Sequence, residues 1–164
     1  TMEEIIEEIA KARAEHRQQE VDKEDNVVLD TNVIVASMLT RHHDSATRRI
    51  INAITDLKIT VLYHEDILTE YRRILNQEKF GFPPDVVQDM MSVITTFGIR
   101  TDRTPTDEIF NDKDDVVFYE VALSKTGAFV VTGNKRHFPD KPIVVTPAEM
   151  VEILENNRII EKTN

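Results

Sequence analysis

Short apolar runs alternate with amphipathic helical segments from Asn26 to the end of the chain. Strands are predicted at 27–30, 59–63, 99–101, 128–132 and 143–146, where β-branched apolar residues are bounded by polar or turn residues. Helices are predicted over 33–39, 44–57, 64–79, 85–97, 114–125 and 147–154. This alternation favours an α/β fold in which a parallel sheet of five strands is covered on both faces.

An additional amphipathic helix is predicted over residues 2–20, ahead of the alternating region. Ile5, Ile9 and Ala12 recur at helical spacing, and acidic residues near the start suit the helix dipole. The apolar stripe is narrow, so we expect this helix to pack on the domain or on a partner. The expected organisation is a helix and polar hinge over 1–25, a domain over 26–155 and a tail over 156–164.

Composition narrows the class of protein. The chain has 164 residues and no cysteine, which suits one domain in a reducing cytoplasm and excludes disulfides and thiolate metal sites. No apolar run approaches the ~20 residues of a membrane span, and the N-terminus lacks a signal-peptide pattern. The net charge of −10 argues against a nucleic-acid partner. That objection weakens because residues 1–25 hold nine acidic against four basic residues, which is half of the imbalance.

Polar and acidic residues stand at four places where strands end or helices begin. Asp30 follows the first strand, Glu70 lies early in the helix at 64–79, three acids fall within 112–115, and Thr132 and Asn134 follow the fourth strand. Ligands of open α/β sheets bind beyond the carboxyl ends of the strands. An oxygen-rich cluster without cysteine favours Mg²⁺ or Mn²⁺, and such a cluster is typical of a phosphate-ester hydrolase.

Each of these acids also has a purely structural interpretation. Asp30 could cap the helix that follows it, and Glu70 could be a solvated residue paired with Arg73 at helical spacing. Asp112 or Asp114 could cap the helix that begins in the acidic run. The sequence alone leaves capping and chemistry open at each position.

Taken together, five segments resemble the PIN domain family over about residues 26–154, most closely the VapC-like toxins of bacterial toxin–antitoxin pairs. The segments are Leu29-Asp30-Thr31-Asn32-Val33, Leu68-Thr69-Glu70-Tyr71, Asp112-Lys113-Asp114-Asp115, Val131-Thr132-Gly133-Asn134 and His137-Phe138-Pro139. The resemblance implies a three-layer α/β/α domain, a Mg²⁺- or Mn²⁺-dependent ribonuclease site, a homodimer and an antitoxin partner.

The resemblance also implies a role for individual residues. Asp30, Glu70 and Asp115 match the metal-binding acids that carry catalysis. Asp112 matches the leading aspartate of its motif, and Asp114 is a supporting neighbour. Asn32 and Thr132 match the polar residues that orient the first acid and the site water.

The sequence departs from the family pattern at Asn134, where many members carry a fourth acid. An amide can still ligate a metal through its oxygen, but it carries no charge, so we expect weaker binding of a second ion. Eight basic residues are candidates for holding the RNA backbone. They are Arg41, His42, His43, Arg48, Arg72, Lys135, Arg136 and His137.

Other functions remain open. The leading alternative is a PIN-like module that binds RNA or protein without cutting. A haloacid-dehalogenase-type phosphatase would need a second aspartate two residues after Asp30, where this chain has Asn32. A receiver domain would need paired acids before the end of the first strand, and Asp25 comes too early for that role. For the N-terminal helix, we expect an inhibitory or dimer-forming arm, from which Arg13 or Arg17 would reach the carboxylates.

Overall fold

The computed structural model describes residues 1–22 and 25–163, with side chains left out for 16–22. The strands are β1 (Asn26–Leu29), β2 (Thr60–Tyr63), β3 (Ile99–Arg100), β4 (Phe129–Val131) and β5 (Val144–Val145). The helices are α1 (Met2–Asp22), α2 (Thr31–Leu39), α3 (Ala46–Thr55), α4 (Glu65–Leu75), α5 (Pro84–Phe97), α6 (Val116–Leu123) and α7 (Pro147–Asn156). Single 3₁₀ turns lie at Glu78–Phe80, Lys113–Asp115 and Lys135–His137.

The five strands form one parallel sheet in the order β3-β2-β1-β4-β5, flanked by helices. This confirms the predicted α/β fold with a five-stranded parallel sheet. The chain adds strands on one side of β1 and then crosses to β4 on its other side. A crevice therefore opens between the carboxyl ends of β1 and β4, which is where open α/β sheets bind ligands.

Strand β1 is the centre of the core because all four of its residues are buried. Tyr71 of α4 is fully buried below the crevice, and its hydroxyl donates a 2.6 Å hydrogen bond to the carbonyl oxygen of Leu29. Its ring packs against Phe118 of α6, with ring centroids 6.1 Å apart. These contacts fix α4 and α6 beside the end of β1. Helix α4 carries Glu70, and α6 begins directly after Asp115.

The predicted elements are all present, with shorter ends in three helices. The helix predicted over 44–57 spans Ala46–Thr55, with Ser45 as its N-cap. The helix predicted over 64–79 ends at Leu75, with Asn76 as its C-cap and a 3₁₀ turn after it. The helix predicted over 114–125 spans Val116–Leu123, because the acidic run before it forms a 3₁₀ turn instead. His64 caps α4 by accepting a hydrogen bond from the backbone N–H of Asp66.

Helix α1 forms as predicted, and its apolar stripe is exposed to solvent. Met2, Ile5, Ile6 and Ile9 are exposed, and none of the side chains described in α1 is buried. The guanidinium of Arg13 lies 5.1 Å from the centroid of the Phe97 ring, at the end of α5. The structure thus places Arg13 on α5 rather than on the carboxylates, while the predicted contact of Arg17 lies outside the described residues.

No helix in the described part of the chain is long and apolar enough to cross a membrane.

Candidate active site

Asp30 lies at the carboxyl end of β1, where its side chain turns towards β4. Its backbone N–H continues the sheet by donating to Val131, at 2.9 Å. The residue is 6% exposed, and its carboxylate accepts a 2.8 Å hydrogen bond from the Thr132 hydroxyl. Although Asp30 occupies the N-cap position of α2, its side chain makes no capping hydrogen bond in the described structure. The described hydrogen bonds therefore do not give the Asp30 side chain the capping role.

The loop after β4 is held against β1 by two polar side chains. The Thr132 hydroxyl donates to Asp30 and accepts from the backbone N–H of Asn134, at 3.0 Å. Asn32 accepts a 3.0 Å hydrogen bond from the backbone N–H of Gly133 through its side-chain oxygen. Thr132 thus contacts the first acid directly, whereas Asn32 fixes the loop that carries Thr132.

The acidic run 112–115 divides into a cap and a half-buried acid. Asp112 accepts a 2.9 Å hydrogen bond from the backbone N–H of Asp114, which caps the 3₁₀ turn. The side chain of Asp115 is only 14% exposed, and its Oδ2 atom has no hydrogen-bond partner in the described part of the chain. Asp112 therefore has the predicted structural role, while Asp115 offers an unsatisfied carboxylate oxygen.

The acids share one electrostatic environment. Burial, followed by the negative charges of Asp30 and Asp112, raises the pKa of Asp115 to about 6, and Glu70 adds to this effect. Burial also raises the pKa of Asp30, opposed first by the hydrogen bond from Thr132, with the charge of Glu70 raising it further. Charges influence each other in this way only at short range. Carboxylates from β1, α4 and the start of α6 therefore lie near enough to one another to interact electrostatically.

Glu70 is also paired with a cation, as its structural interpretation predicted. Arg73 donates two hydrogen bonds to the Glu70 carboxylate, at 2.6 and 3.2 Å, and a third to Asp114, at 3.3 Å. Arg73 thus joins α4 to the acidic run, and Glu70 has both a structural partner and a place beside the other acids.

His137, which the sequence predicts as an RNA contact, also lies beside Asn134 and Asp115. Its Nε2 atom lies 3.0 Å from the side-chain nitrogen of Asn134, and its Nδ1 atom lies 3.7 Å from Oδ2 of Asp115. The three-residue separation of Asn134 and His137 across a turn was visible in the sequence. The approach to Asp115 was not, because it depends on the tertiary fold.

A family model described as PIN domain matches residues 26–136, which is more than half of the chain. The chain belongs to the PIN domain family. Searches of curated proteins and of solved structures found no match. The family prediction is confirmed, and the fold is of the nuclease type that PIN domains share, while the closer likeness to VapC toxins stays a prediction.

PIN domains typically use divalent metal ions, and the donors in this PIN domain suit Mg²⁺ or Mn²⁺ only in part. Carboxylate oxygens are the ligands these ions prefer, and the unpartnered Oδ2 of Asp115 is a buried oxygen that a cation would satisfy. In residues 1–22 and 25–163, however, no group of three or more His, Asp or Glu side chains surrounds a single point. The donor atoms are of the type that these ions prefer, but the described side chains are not grouped closely enough to form a complete set of ligands.

Eight residues therefore keep their roles only as predictions. The predicted metal ligands are Asp30, Glu70, Asp112, Asp115 and Asn134, and the predicted supporting residues are Asn32, Asp114 and Thr132.

Of the eight basic candidates, Lys135 pairs with Glu149 at 3.2 Å, which leaves it less free to hold a substrate. Arg41, His42, His43, Arg72 and Arg136 are exposed.

Proposed function

We propose that this PIN domain is a metal-dependent endoribonuclease. The observation that carries the proposal is the pair formed by Asp30 and Asp115: burial raises the pKa of both, the charge of Asp30 raises that of Asp115 further, and Oδ2 of Asp115 has no hydrogen-bond partner among the described residues. Keeping such groups together is unfavourable in a domain that only needs to fold. Their position at the end of β1, where α/β folds bind ligands, supports a role in chemistry.

Asp30, Glu70 and Asp115 would hold one Mg²⁺ or Mn²⁺, with Asp112 and Asn134 beside them. A bound ion of this kind lowers the pKa of a water molecule and neutralises charge that develops on a phosphodiester. Thr132 positions Asp30 through its hydroxyl, and the buried Tyr71 fixes the end of β1 by donating to the carbonyl oxygen of Leu29, directly before Asp30.

We also propose a substrate and partners for this PIN domain. Exposed basic side chains from the α2–α3 loop and from the turn after β4 would hold the RNA backbone. The likeness to VapC toxins supports a toxin of the bacterial cytoplasm, acting as a homodimer and restrained by an antitoxin protein.

A second candidate function is a silent PIN module that binds RNA or protein. Three observations favour it: Arg73 already pairs with Glu70, an amide stands at Asn134, and the net charge is −10. Each of them lowers the expected affinity for a cation or for RNA. A silent module would not need the unpartnered oxygen of Asp115, and that atom decides our preference for catalysis.

Cleavage of a mixed single-stranded RNA pool in Mn²⁺ tests the proposal. The wild type is compared with Asp30→Asn and with Asp89→Asn, an exposed acid on α5, all purified identically. We expect Asp30→Asn to lose at least about 100-fold in rate, Asp89→Asn to match the wild type, and a chelator to stop cleavage. Equal cutting by all three proteins would indicate a contaminating ribonuclease, and no cutting by any would favour the silent module.

A further inference from the structure

The side-chain amide of Asn134 has a defined orientation. Its oxygen accepts a 3.3 Å hydrogen bond from the backbone N–H of Arg136, so that Asn134 caps the 3₁₀ turn at Lys135–His137. Its nitrogen is thereby turned towards Nε2 of His137, at 3.0 Å. An amide nitrogen only donates, so Nε2 must be the acceptor in this contact. The proton of the neutral imidazole then lies on Nδ1.

The Nδ1 atom of His137 lies near the half-buried Asp115. It lies 3.7 Å from Oδ2 of Asp115, the oxygen that has no hydrogen-bond partner among the described residues. An N–H group directed at a carboxylate is attractive, whereas a nitrogen lone pair in its place would be repulsive. The position of the proton on His137 therefore decides whether this contact stabilises or disturbs Asp115.

We propose that Asn134 and His137 are positioning residues: Asn134 holds His137 in the Nδ1–H tautomer, and His137 directs that N–H at Asp115. This inference rests on the proposed function only in treating Asp115 as an acid of the active site. It also gives a reason for the amide at Asn134. A carboxylate there would present only acceptors, would require a proton on Nε2, and would remove the constraint that keeps the proton on Nδ1.

The proton can be located directly by ¹⁵N NMR of the imidazole rings at about pH 8. A protonated ring nitrogen and an unprotonated one give well-separated ¹⁵N signals. His64 serves as the reference of opposite tautomer, because its Nδ1 atom accepts a 3.0 Å hydrogen bond from the backbone N–H of Asp66. The His137→Gln and His64→Gln variants assign the two spectra.

We expect His137 to show a protonated Nδ1 and His64 a protonated Nε2 in the same sample. In Asn134→Asp, the Nε2 atom of His137 should become protonated, while the signals of His64 stay unchanged. A protonated Nε2 at His137 in the wild type, or an unchanged His137 spectrum in Asn134→Asp, would overturn the proposal.

Two substitutions of His137 distinguish the effect of the N–H at Nδ1 from the effect of removing the imidazole ring. Asn at this position keeps an N–H near the place of Nδ1, whereas Gln keeps one near Nε2. We expect His137→Asn to retain roughly tenfold more of the cleavage rate than His137→Gln, and equal rates would contradict the positioning role. If the wild type cuts no RNA, the proposed ribonuclease fails, and the NMR result still decides the tautomer.

Discussion

At the scale of single residues, Asp115 is an acid that weakens the fold at neutral pH. Its pKa of about 6 lies above the ordinary value of 3.8, so the folded protein binds this proton more tightly than the unfolded chain does. A raised pKa in the folded state means that stability falls as pH rises from about 4 to 6. We expect Asp115→Asn to raise the free energy of unfolding at pH 7.5 by on the order of 2 kcal/mol and to give little gain at pH 3.5.

Urea denaturation at the two pH values measures this difference. Asp114→Asn is the matched control, because that neighbouring side chain is 56% exposed, and we expect a change within about 0.5 kcal/mol. An equal gain from Asp115→Asn at both pH values would contradict the electrostatic explanation and would point to packing instead.

Arg73 is a second residue whose removal has a predictable direction. Its positive charge pairs with Glu70 and Asp114 and would oppose a divalent cation bound beside them. We expect Arg73→Gln to tighten Mn²⁺ binding roughly tenfold in calorimetry, which corresponds to about 1.4 kcal/mol. Arg72→Gln, one position earlier on α4, is the control and should bind as the wild type does. Weaker binding in Arg73→Gln would mean that Arg73 holds Glu70 in place for the metal.

At the scale of elements, the junction between α5 and β3 depends on the absence of a side chain. A Cβ atom built on Gly98 would stand 2.3 Å from the carbonyl oxygen of Ile94 and 2.8 Å from that of Val61. Both are backbone atoms, so relieving the clash requires the helix to move from the sheet. We expect Gly98→Ala to lower the free energy of unfolding by about 3 kcal/mol.

Gly133→Ala is the comparison for this change. A Cβ atom there would meet its nearest neighbour, Oδ1 of Asn32, at 3.5 Å, which is an ordinary contact. Chemical denaturation should therefore show a loss within about 1 kcal/mol. Similar losses for both variants would contradict the clash as the cause, and the lower flexibility of alanine in the unfolded chain could not explain them, because that effect stabilises the folded state.

The elements were predictable from sequence to a greater extent than the contacts between them. The β-branched run of β1 and the stripe of α4 are local patterns, and both elements were found where expected. The end of α4 at Leu75 was missed because four further residues compatible with a helix follow it. The pairing of Glu70 with Arg73 was visible at helical spacing, but the third partner, Asp114, lies 41 positions from Arg73 in the chain. Contacts of that kind depend on how the sheet brings its strand ends together.

At the scale of the whole molecule, α1 contributes much of the net negative charge and no buried side chain among those described. Residues 1–22 contain seven acidic and three basic residues, so they contribute −4 of the net charge of −10. The buried residues of the core begin at Asn26 and Val27, and the described side chains of α1 are exposed or half-buried. The fold from β1 to α7 should therefore be complete without this helix.

Deleting residues 1–22 tests that expectation. We expect the free energy of unfolding in urea to change by less than about 1.5 kcal/mol, since the contact between Arg13 and Phe97 is the kind of interaction worth about 0.5–1 kcal/mol at an exposed site. Arg13→Gln in the full-length chain should reproduce most of any loss. Light scattering on the same samples measures whether the exposed stripe at Ile5, Ile6 and Ile9 holds molecules together. A deleted chain that is unfolded, or one that loses several kcal/mol while remaining the same size, would show that α1 is part of the domain rather than an arm attached to it.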